Sequence, residues 1–178
     1  MTSPATPSTP LADPALEAVH RTRRLAELAR LGLHRADADA VLAAAVREAA
    51  CALDLPIALV SIVLDDAQLF IAAEGLHGWL AEAAGTPVEW SFCRHAVAAQ
   101  RPFVVADASA HPLVRDNPLV TIDGIRCYAG APLVTTRGEA VGSLCVLGVA
   151  PRTFTPLEVA RLAALAADVV CYLEARAA

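Results

Sequence analysis

The residues of this sequence that could do chemistry begin with Cys93 and His95, which lie two positions apart. A thiolate activated by a neighbouring imidazolium, or half of a metal site, would use these two residue types. On a helix, however, residues i and i+2 point about 200° apart, so the two side chains would not meet. The spacing therefore favours a buried thiol that faces a sheet and a histidine that hydrogen-bonds a loop carbonyl.

The other cysteines give no recognisable reactive spacing. An odd number of widely spaced cysteines is typical of free, buried thiols in a cytosolic protein, and no pair has the C-x-x-C spacing of a zinc or redox site. Cys127 and Cys145 lie within apolar strand patterns and are interpreted as core thiols. No catalytic triad, metal-ligand cluster, phosphate-binding loop or carboxylate pair is found in the sequence. The five cysteines are Cys51, Cys93, Cys127, Cys145 and Cys171.

Arg126 and Tyr128 alternate with apolar residues along a predicted strand. If one face of that strand meets helices, its other face meets a pocket, where a cation and a hydroxyl would suit an anionic ligand. In the alternative interpretation, Arg126 pairs with Asp116 or Asp123 and holds a loop in place. Both interpretations stay open at this point.

Aromatic side chains and a histidine complete the set of candidates. Trp79, Trp90 and Phe92 could form the wall of an apolar pocket, although in a chain with 4% aromatic residues the filling of the core is the alternative. His111 lies in a polar connection before the last predicted hairpin. The pocket candidates are Trp79, Phe92, Cys93, His111, Arg126 and Tyr128.

The elements that must position these residues begin with two helices. Residues 1–14 contain four prolines and are predicted to be a disordered leader. A helical pattern then runs from Ala15 to Gly32, where glycine favours a stop. A second helix begins near Asp37 or Asp39 and ends near Leu53, since Pro56 prevents its continuation.

Two hairpins and a long excursion follow. The apolar run Ile57–Leu64 predicts a strand that is covered on both faces, and Gln68–Ala73 is its hairpin partner. Residues 75–124 contain a turn of helix, a short helix from Phe92 to Gln100 with Ser91 as its cap, and a short strand at Pro102–Ala106. Ile125–Val134 and Ala140–Val149 form a second hairpin. A capping box at Thr155-Pro156-Leu157-Glu158 begins a last helix that runs to about Arg176.

This order predicts an α+β fold with a central antiparallel sheet. Strands joined by hairpins must be antiparallel, which excludes a doubly wound nucleotide-binding fold. The N- and C-terminal helices are expected to cover one face, and residues 75–124 the other, with a pocket beneath them. Residues 15–178 form one domain in this interpretation.

Composition limits the partners and the location. The net charge is −5, so no basic stripe for nucleic acid is expected. The longest apolar runs are far shorter than the roughly 20 residues of a membrane span, and the first residues do not resemble a signal peptide. The sequence therefore predicts a cytoplasmic protein that does not enter a membrane.

In combination, five segments of the chain resemble the GAF domains, small-molecule-binding and sensory modules that are common in bacterial signalling proteins. The resemblance spans roughly Leu25 to Leu173 and is closest to the domains attached to histidine kinases, cyclases and phosphodiesterases. It implies an antiparallel sheet with terminal helices on one face and a ligand pocket on the other. The segments are Ser91–Val97, Val104–Ala108, Asp116–Val120, Ile125–Leu133 and Gly142–Leu147.

The ligands known in the family do not match this sequence well. Bilin-binding members carry a cysteine in the connection where this chain has His111, so a covalent bilin is not expected. The chain has no lysine and therefore lacks the Asn-Lys-Phe-Asp-Glu signature of cyclic-nucleotide-binding members. GAF-type reductases of free methionine sulfoxide keep a cysteine at the position of Cys93, but their second cysteine motif is absent from Leu113–Asp116.

The resemblance thus implies a non-catalytic sensory or ligand-binding module of bacterial signal transduction, with no cofactor identified. We expect a homodimer through the terminal helices, because the stripe Leu162, Leu165, Val169 and Leu173 does not account for all the apolar residues of the last helix. A signalling output protein could act in trans. The alternatives are a thiol-dependent methionine sulfoxide reductase that uses Cys93, and a ligand-free module that only dimerises.

Overall fold

A six-stranded antiparallel sheet forms the centre of the protein. The computed structural model describes residues 13–33 and 39–178. The strand order is β3-β2-β1-β6-β5-β4, so β1 and β6, the two most buried strands, lie in the middle. The antiparallel α+β fold expected from the sequence is therefore confirmed. The strands are β1 (Ile57–Val63), β2 (Ala67–Glu74), β3 (Gly85–Pro87), β4 (Phe103–Val105), β5 (Cys127–Val134) and β6 (Ala140–Gly148).

Seven α-helices surround the sheet in the part of the chain that the structure describes. Asp39 caps the third helix by accepting hydrogen bonds from the amides of Val41 and Leu42. The predicted capping box of the last helix is present, with Thr155 and Glu158 each accepting from the other's backbone. The helices are α1 (Pro14–Val19), α2 (Thr22–Arg30), α3 (Ala40–Leu53), α4 (Gly78–Ala83), α5 (Cys93–Ala99), α6 (Pro118–Thr121) and α7 (Pro156–Arg176).

The core has two layers, one on each face of the sheet. Helices α2, α3 and α7 pack against the face that carries Val60, Ala131 and Leu144. Helices α4, α5 and α6 cover the face that carries Leu59 and Tyr128. The excursion of residues 75–124 therefore lies where the sequence predicted it, and it also adds β3 at an edge of the sheet, pairing with β2.

The helix predicted from Ala15 to Gly32 is in fact two helices on different faces. It breaks at His20 and Arg21, and α1 lies beside α5, with Val19 buried under the excursion. An ion pair of 2.8 Å between Asp13 and Arg94 holds α1 there. The break arises because Val19 and Leu28 are buried in different layers of the core, which one straight helix could not reach.

A proline begins α1 and a glycine ends α2. Gly32 has a φ of +66° and ends α2, as the sequence predicted. Most of the predicted leader lies outside the described residues, but Asp13 and Pro14 cap and begin α1. Within the described residues, no helix has the length and apolar character that crossing a membrane requires.

Candidate functional site

A small cavity lies between the sheet and the excursion. Its volume is about 30 Å³, which is room for little more than one water molecule. Helices α4, α5 and α6 each contribute one or more side chains to its walls, and strands β1, β2, β5 and β6 form its floor. The wall residues are Ile57, Leu59, Gln68, Phe70, Leu76, Leu80, Phe92, Cys93, Leu119, Ile125, Tyr128, Cys145 and Leu147.

Polar atoms meet at the sheet end of this otherwise apolar cavity. The Tyr128 hydroxyl donates to the Sγ of Cys93 at 3.2 Å, and the Nε2 of Gln68 donates to the same sulfur at 3.5 Å. The Sγ atoms of Cys93 and Cys145 lie 3.7 Å apart. All four side chains are buried. They form a small hydrogen-bonded group in a cavity wall that is otherwise mostly hydrocarbon.

Side chains alternate between the two faces of a strand, and this alternation places the polar side chains of the group on one face of the sheet. Tyr128 on β5 and Cys145 on β6 point to the excursion side, while their neighbours Ala129 and Leu144 point to α3 and α7. Gly130 makes room for the tyrosine, because a Cβ atom at this position would lie 2.0 Å from the Tyr128 hydroxyl. The glycine therefore allows the phenol to turn back over the sheet.

One polar atom in the cavity wall has no partner. The Oε1 of Gln68 is buried and makes no hydrogen bond to the described residues. A buried carbonyl oxygen left without a donor costs about 1–3 kcal/mol. Gln68 is one of the residues that line the cavity. Among the wall residues it is the one with an unpartnered buried side-chain N or O atom.

The two thiols of the site differ in acidity. Burial acts to raise the pKa of Cys93, but hydrogen bonding with the surrounding polar side chains, Tyr128 among them, opposes it and leaves that pKa lowered. The pKa of Cys145 is raised, because its hydrogen bond to Cys93, its burial and the negative charge on Cys93 all favour the neutral thiol. Of the pair, Cys93 is therefore the thiol that ionises first.

Three of the predicted site residues lie in the cavity wall, namely Phe92, Cys93 and Tyr128. The rings of Phe92 and Tyr128 meet edge to face, 5.3 Å between centroids. The imidazole of His95 lies against Phe103 at 4.8 Å, while the Cys93 thiol points to Cys145, so the two side chains have different neighbours. Burial, with Arg94 nearby, lowers the pKa of His95 to about 4.

Arg126 is not among the residues of the cavity wall. It forms an ion pair with Asp107, with donor–acceptor distances of 3.2 and 3.3 Å, rather than with Asp116 or Asp123 as the sequence suggested. The side chain of Asp107 therefore bridges to the strand that carries Tyr128, and Arg126 lowers the pKa of the Asp107 carboxyl. The predicted pairing of Arg126 and Tyr128 around an anion does not fit this arrangement.

Trp79 and His111 also lie outside the cavity wall. Trp79 is 42% exposed, packs edge to face on Trp90 and donates its indole N–H to Asp123 at 2.7 Å. His111 meets the edge of Phe103, 5.5 Å between ring centroids. Both residues secure the excursion from outside, and neither contacts the cavity.

Gln68 and Cys145 are the site residues that the sequence interpretation missed. Cys145 was interpreted as a core thiol because it lies within an apolar strand pattern. Gln68 is the one uncharged polar residue of β2, whose other members are apolar or acidic, and that exception was an available signal. Within residues 13–33 and 39–178, no three His, Cys, Asp or Glu side chains are arranged to hold a metal ion.

Comparison with known protein families identifies one family to which the sequence is similar. The sequence model of the GAF domain family matches residues 37–171. A cyclic di-GMP phosphodiesterase of Pseudomonas aeruginosa is 42% identical over 130 residues, which is 72% of this chain and 21% of that protein. The chain thus spans about a fifth of the length of this relative.

Solved structures share the fold at low sequence identity. The GAF domain of a phosphoenolpyruvate-protein phosphotransferase from Coxiella burnetii superposes with a TM-score of 0.65 at 19% identity, covering 92% of this chain and 96% of that one. A free methionine-R-sulfoxide reductase from Neisseria meningitidis gives a TM-score of 0.62 at 19% identity and covers 93% of each chain. At this identity the likeness concerns the fold alone.

Proposed function

The chain belongs to the GAF domain family, and on this premise we propose that it is a non-catalytic sensory module of signal transduction that binds a small neutral molecule. The observation that carries the proposal is the enclosed cavity with the unpartnered Oε1 of Gln68 in its wall. A ligand that donates one hydrogen bond to this oxygen and fills the apolar remainder would complete the site.

The volume of the cavity and the uncharged side chains in its wall limit the size and the charge of a ligand that could bind there. Pockets for drug-sized ligands and cofactors occupy about 300–1,000 Å³, an order of magnitude more than this cavity. No arginine, histidine or carboxylate is among the described wall residues, so a charged group would be desolvated without a partner. These observations support a small, uncharged ligand, and they argue against a bilin, a cyclic nucleotide or methionine sulfoxide in the cavity as it stands.

The output of the module is proposed to lie outside this domain. The matching segment makes up 21% of the relative named as a cyclic di-GMP phosphodiesterase. This supports a role in which the domain regulates the turnover of that nucleotide, through a catalytic part in the same protein or in a partner. The cavity between the sheet and the excursion is too small for the nucleotide itself.

Ligand binding can be tested by filling the cavity. We expect native mass spectrometry of the protein, purified gently from its own host, to show an added mass that is lost on unfolding. Leu119→Phe places a ring at the cavity wall and should lower the occupied fraction about tenfold or more, because the ring takes the ligand's space. The readout is the ratio of bound to free protein at equal concentration.

The matched control is Leu113→Phe, the same substitution at a side chain that is 60% exposed and outside the cavity wall. This variant should retain the added mass. Equal occupancy in both variants, or protein without any added mass under every host condition, would contradict the proposed binding site.

A homodimer through α7 is proposed as the arrangement that transmits the signal. Leu162, Val169 and Leu173 are buried against the sheet, which leaves a second stripe exposed. Its members follow the alternating three- and four-residue spacing of a coiled-coil seam, and Leu157 at its start is 79% exposed. The stripe is Leu157, Ala160, Ala164, Ala167 and Cys171.

Cys171 offers a direct test of this dimer. In a parallel dimer about this seam, the exposed Cys171 of each copy faces its equivalent, so mild oxidation should convert most of the protein into a disulfide-linked dimer on a non-reducing gel. Cys51→Ser removes the other exposed thiol and should leave the cross-link, whereas Cys171→Ser should abolish it. A monomer by light scattering at high concentration would refute the dimer.

A further inference from the structure

Two thiols face each other inside the cavity without a role in the proposed ligand binding. Cys93, the first residue of α5, and Cys145, in the central strand β6, bring their Sγ atoms to 3.7 Å. A disulfide has an S–S distance of about 2.05 Å, so a combined shift of about 1.7 Å would bond them. Because α5 has only seven residues, such a shift requires the adjustment of one short helix and no movement of the sheet.

The neighbours of the pair make the two sulfurs inequivalent. The Tyr128 hydroxyl, at 3.2 Å, and the Nε2 of Gln68, at 3.5 Å, both donate to Cys93 Sγ. Donors of this kind stabilise a thiolate, which is the nucleophilic form of cysteine. Cys93 is therefore placed to attack an oxidant, and Cys145 is placed to attack Cys93 afterwards.

The cavity gives a small oxidant access to both sulfurs. Cys93 and Cys145 line it together, and its volume of about 30 Å³ admits a molecule only slightly larger than water. Two of the wall residues, Ile57 and Leu76, are half-buried, so the cavity approaches solvent on their side. Hydrogen peroxide is the smallest hydroperoxide and matches this space.

We propose that Cys93 and Cys145 form a redox-active dithiol, which hydroperoxides, with hydrogen peroxide the smallest, oxidise to a disulfide inside the domain. This proposal does not rest on the binding of any other ligand. It differs from a sulfoxide reductase in its oxidant and in its resolving cysteine, which comes from the central strand and not from the connection before β5.

The chemistry balances in two steps. The Cys93 thiolate attacks one oxygen of the hydroperoxide, the O–O bond breaks, and the leaving oxygen takes up the proton that Cys93 released, which gives Cys93 sulfenic acid and water or an alcohol. The Cys145 sulfur then attacks the sulfenic sulfur, the S–O bond breaks, and the hydroxide leaves as water with the proton of the Cys145 thiol. Two electrons pass from the thiols to the hydroperoxide, and an external thiol restores the reduced pair.

Cys127 is an internal control for this reaction. It is buried on the same sheet, but burial raises the pKa of its thiol. The Tyr128 and Gln68 donors face Cys93 and not Cys127. A general reactivity of buried thiols would oxidise Cys127 as well, whereas the proposed site would spare it.

The test uses the full chain with both exposed thiols removed, as Cys51→Ser with Cys171→Ser. The folded protein is treated with hydrogen peroxide, quenched in acid, unfolded and alkylated, and its intact mass and peptides are measured. We expect the loss of two hydrogens, a Cys93–Cys145 peptide link that dithiothreitol reverses, and alkylation of Cys127 alone. Oxidation of Cys127 at the same rate as Cys93, or no link between Cys93 and Cys145, would overturn the proposal.

Single variants identify the role of each residue. Cys145→Ser should stop the reaction at Cys93 sulfenic acid, which dimedone traps when the protein is unfolded in its presence, and Cys93→Ser should leave Cys145 unoxidised over the same time. Tyr128→Phe, which keeps the ring but removes the donor, should slow the formation of the disulfide about tenfold. Rapid oxidation of Cys145 in Cys93→Ser would overturn the assignment of Cys93 as the attacking thiol, and an unchanged rate in Tyr128→Phe would overturn the role of Tyr128. Because the unmodified pair is tested first, a variant that fails to fold does not decide the outcome.

Discussion

Gly142→Ala is expected to leave little folded protein, since it loses at least about 3 kcal/mol of the free energy of unfolding. Gly142 lies in β6, opposite Ile62 of β1 and Leu133 of β5. A Cβ atom at this position would lie 2.0 Å from the backbone oxygen of Ser61. Neither strand can give way, because β1 and β6 are the two central strands of the sheet.

Urea denaturation followed by circular dichroism measures this loss. Gly138→Ala in the turn between β5 and β6 is the matched control, because a Cβ there meets no atom within 4 Å and only the φ of +79° is strained. That strain costs about 1–2 kcal/mol. If Gly142→Ala were no less stable than Gly138→Ala, the close packing of β1 on β6 would not be as described.

Arg24→Met is expected to have the second largest effect, a loss of about 2–4 kcal/mol. The Arg24 guanidinium is buried and donates to the backbone oxygens of Val19, at 2.8 Å, and Val63, at 2.5 Å, with a longer bond to Leu64. It joins the end of α1 to the end of β1, at the point where the chain passes from one face of the sheet to the other. Methionine fills the volume but leaves buried carbonyl oxygens without donors, each costing about 1–3 kcal/mol.

Two further variants test whether the loss of stability comes from the hydrogen bonds of Arg24 or from the loss of a positive charge. Burial and the nearby charge of Arg21 lower the pKa of Arg24 to about 10, so the side chain stays protonated at neutral pH and its removal also relieves a desolvation cost. Arg24→Lys should rescue little, since an ammonium cannot reproduce the planar fork that reaches several carbonyls. Arg23→Met, next to it on an exposed face, should change the midpoint of denaturation very little. A stable Arg24→Met protein would show that the carbonyls find other donors.

The predictions that depended on neighbouring residues in the chain agree well with the structure. The cap at Asp39, the capping box at Thr155 and Glu158, and the stop at Gly32 are local, because each satisfies backbone groups within a few residues. The apolar pattern of Ile57–Leu64 likewise predicted a strand covered on both faces, and six of the seven residues of β1 are buried. Length, hairpins and the apolar pattern were sufficient for the fold class.

The predictions that depended on which side chains meet in space were less complete. Arg126 pairs with Asp107, nineteen residues away, and no local pattern distinguished this carboxylate from Asp116 or Asp123. The helix predicted from Ala15 breaks because Val19 and Leu28 are buried in opposite layers of the core, a demand set by the sheet and not by helix propensity.

The predictions about the site show the same difference between local sequence pattern and contacts in space. By itself the sequence determined which strand faces are buried, because side chains alternate along a strand, and from this Phe92, Cys93 and Tyr128 were predicted, together with Trp79, His111 and Arg126, to line one pocket. Only the tertiary structure decided the volume of that cavity, the unpartnered oxygen of Gln68 and the 3.7 Å approach of Cys93 to Cys145. Those two cysteines are 52 residues apart, and their distance depends on how α5 packs on β6, which is the sum of many small contacts that no sequence spacing encodes.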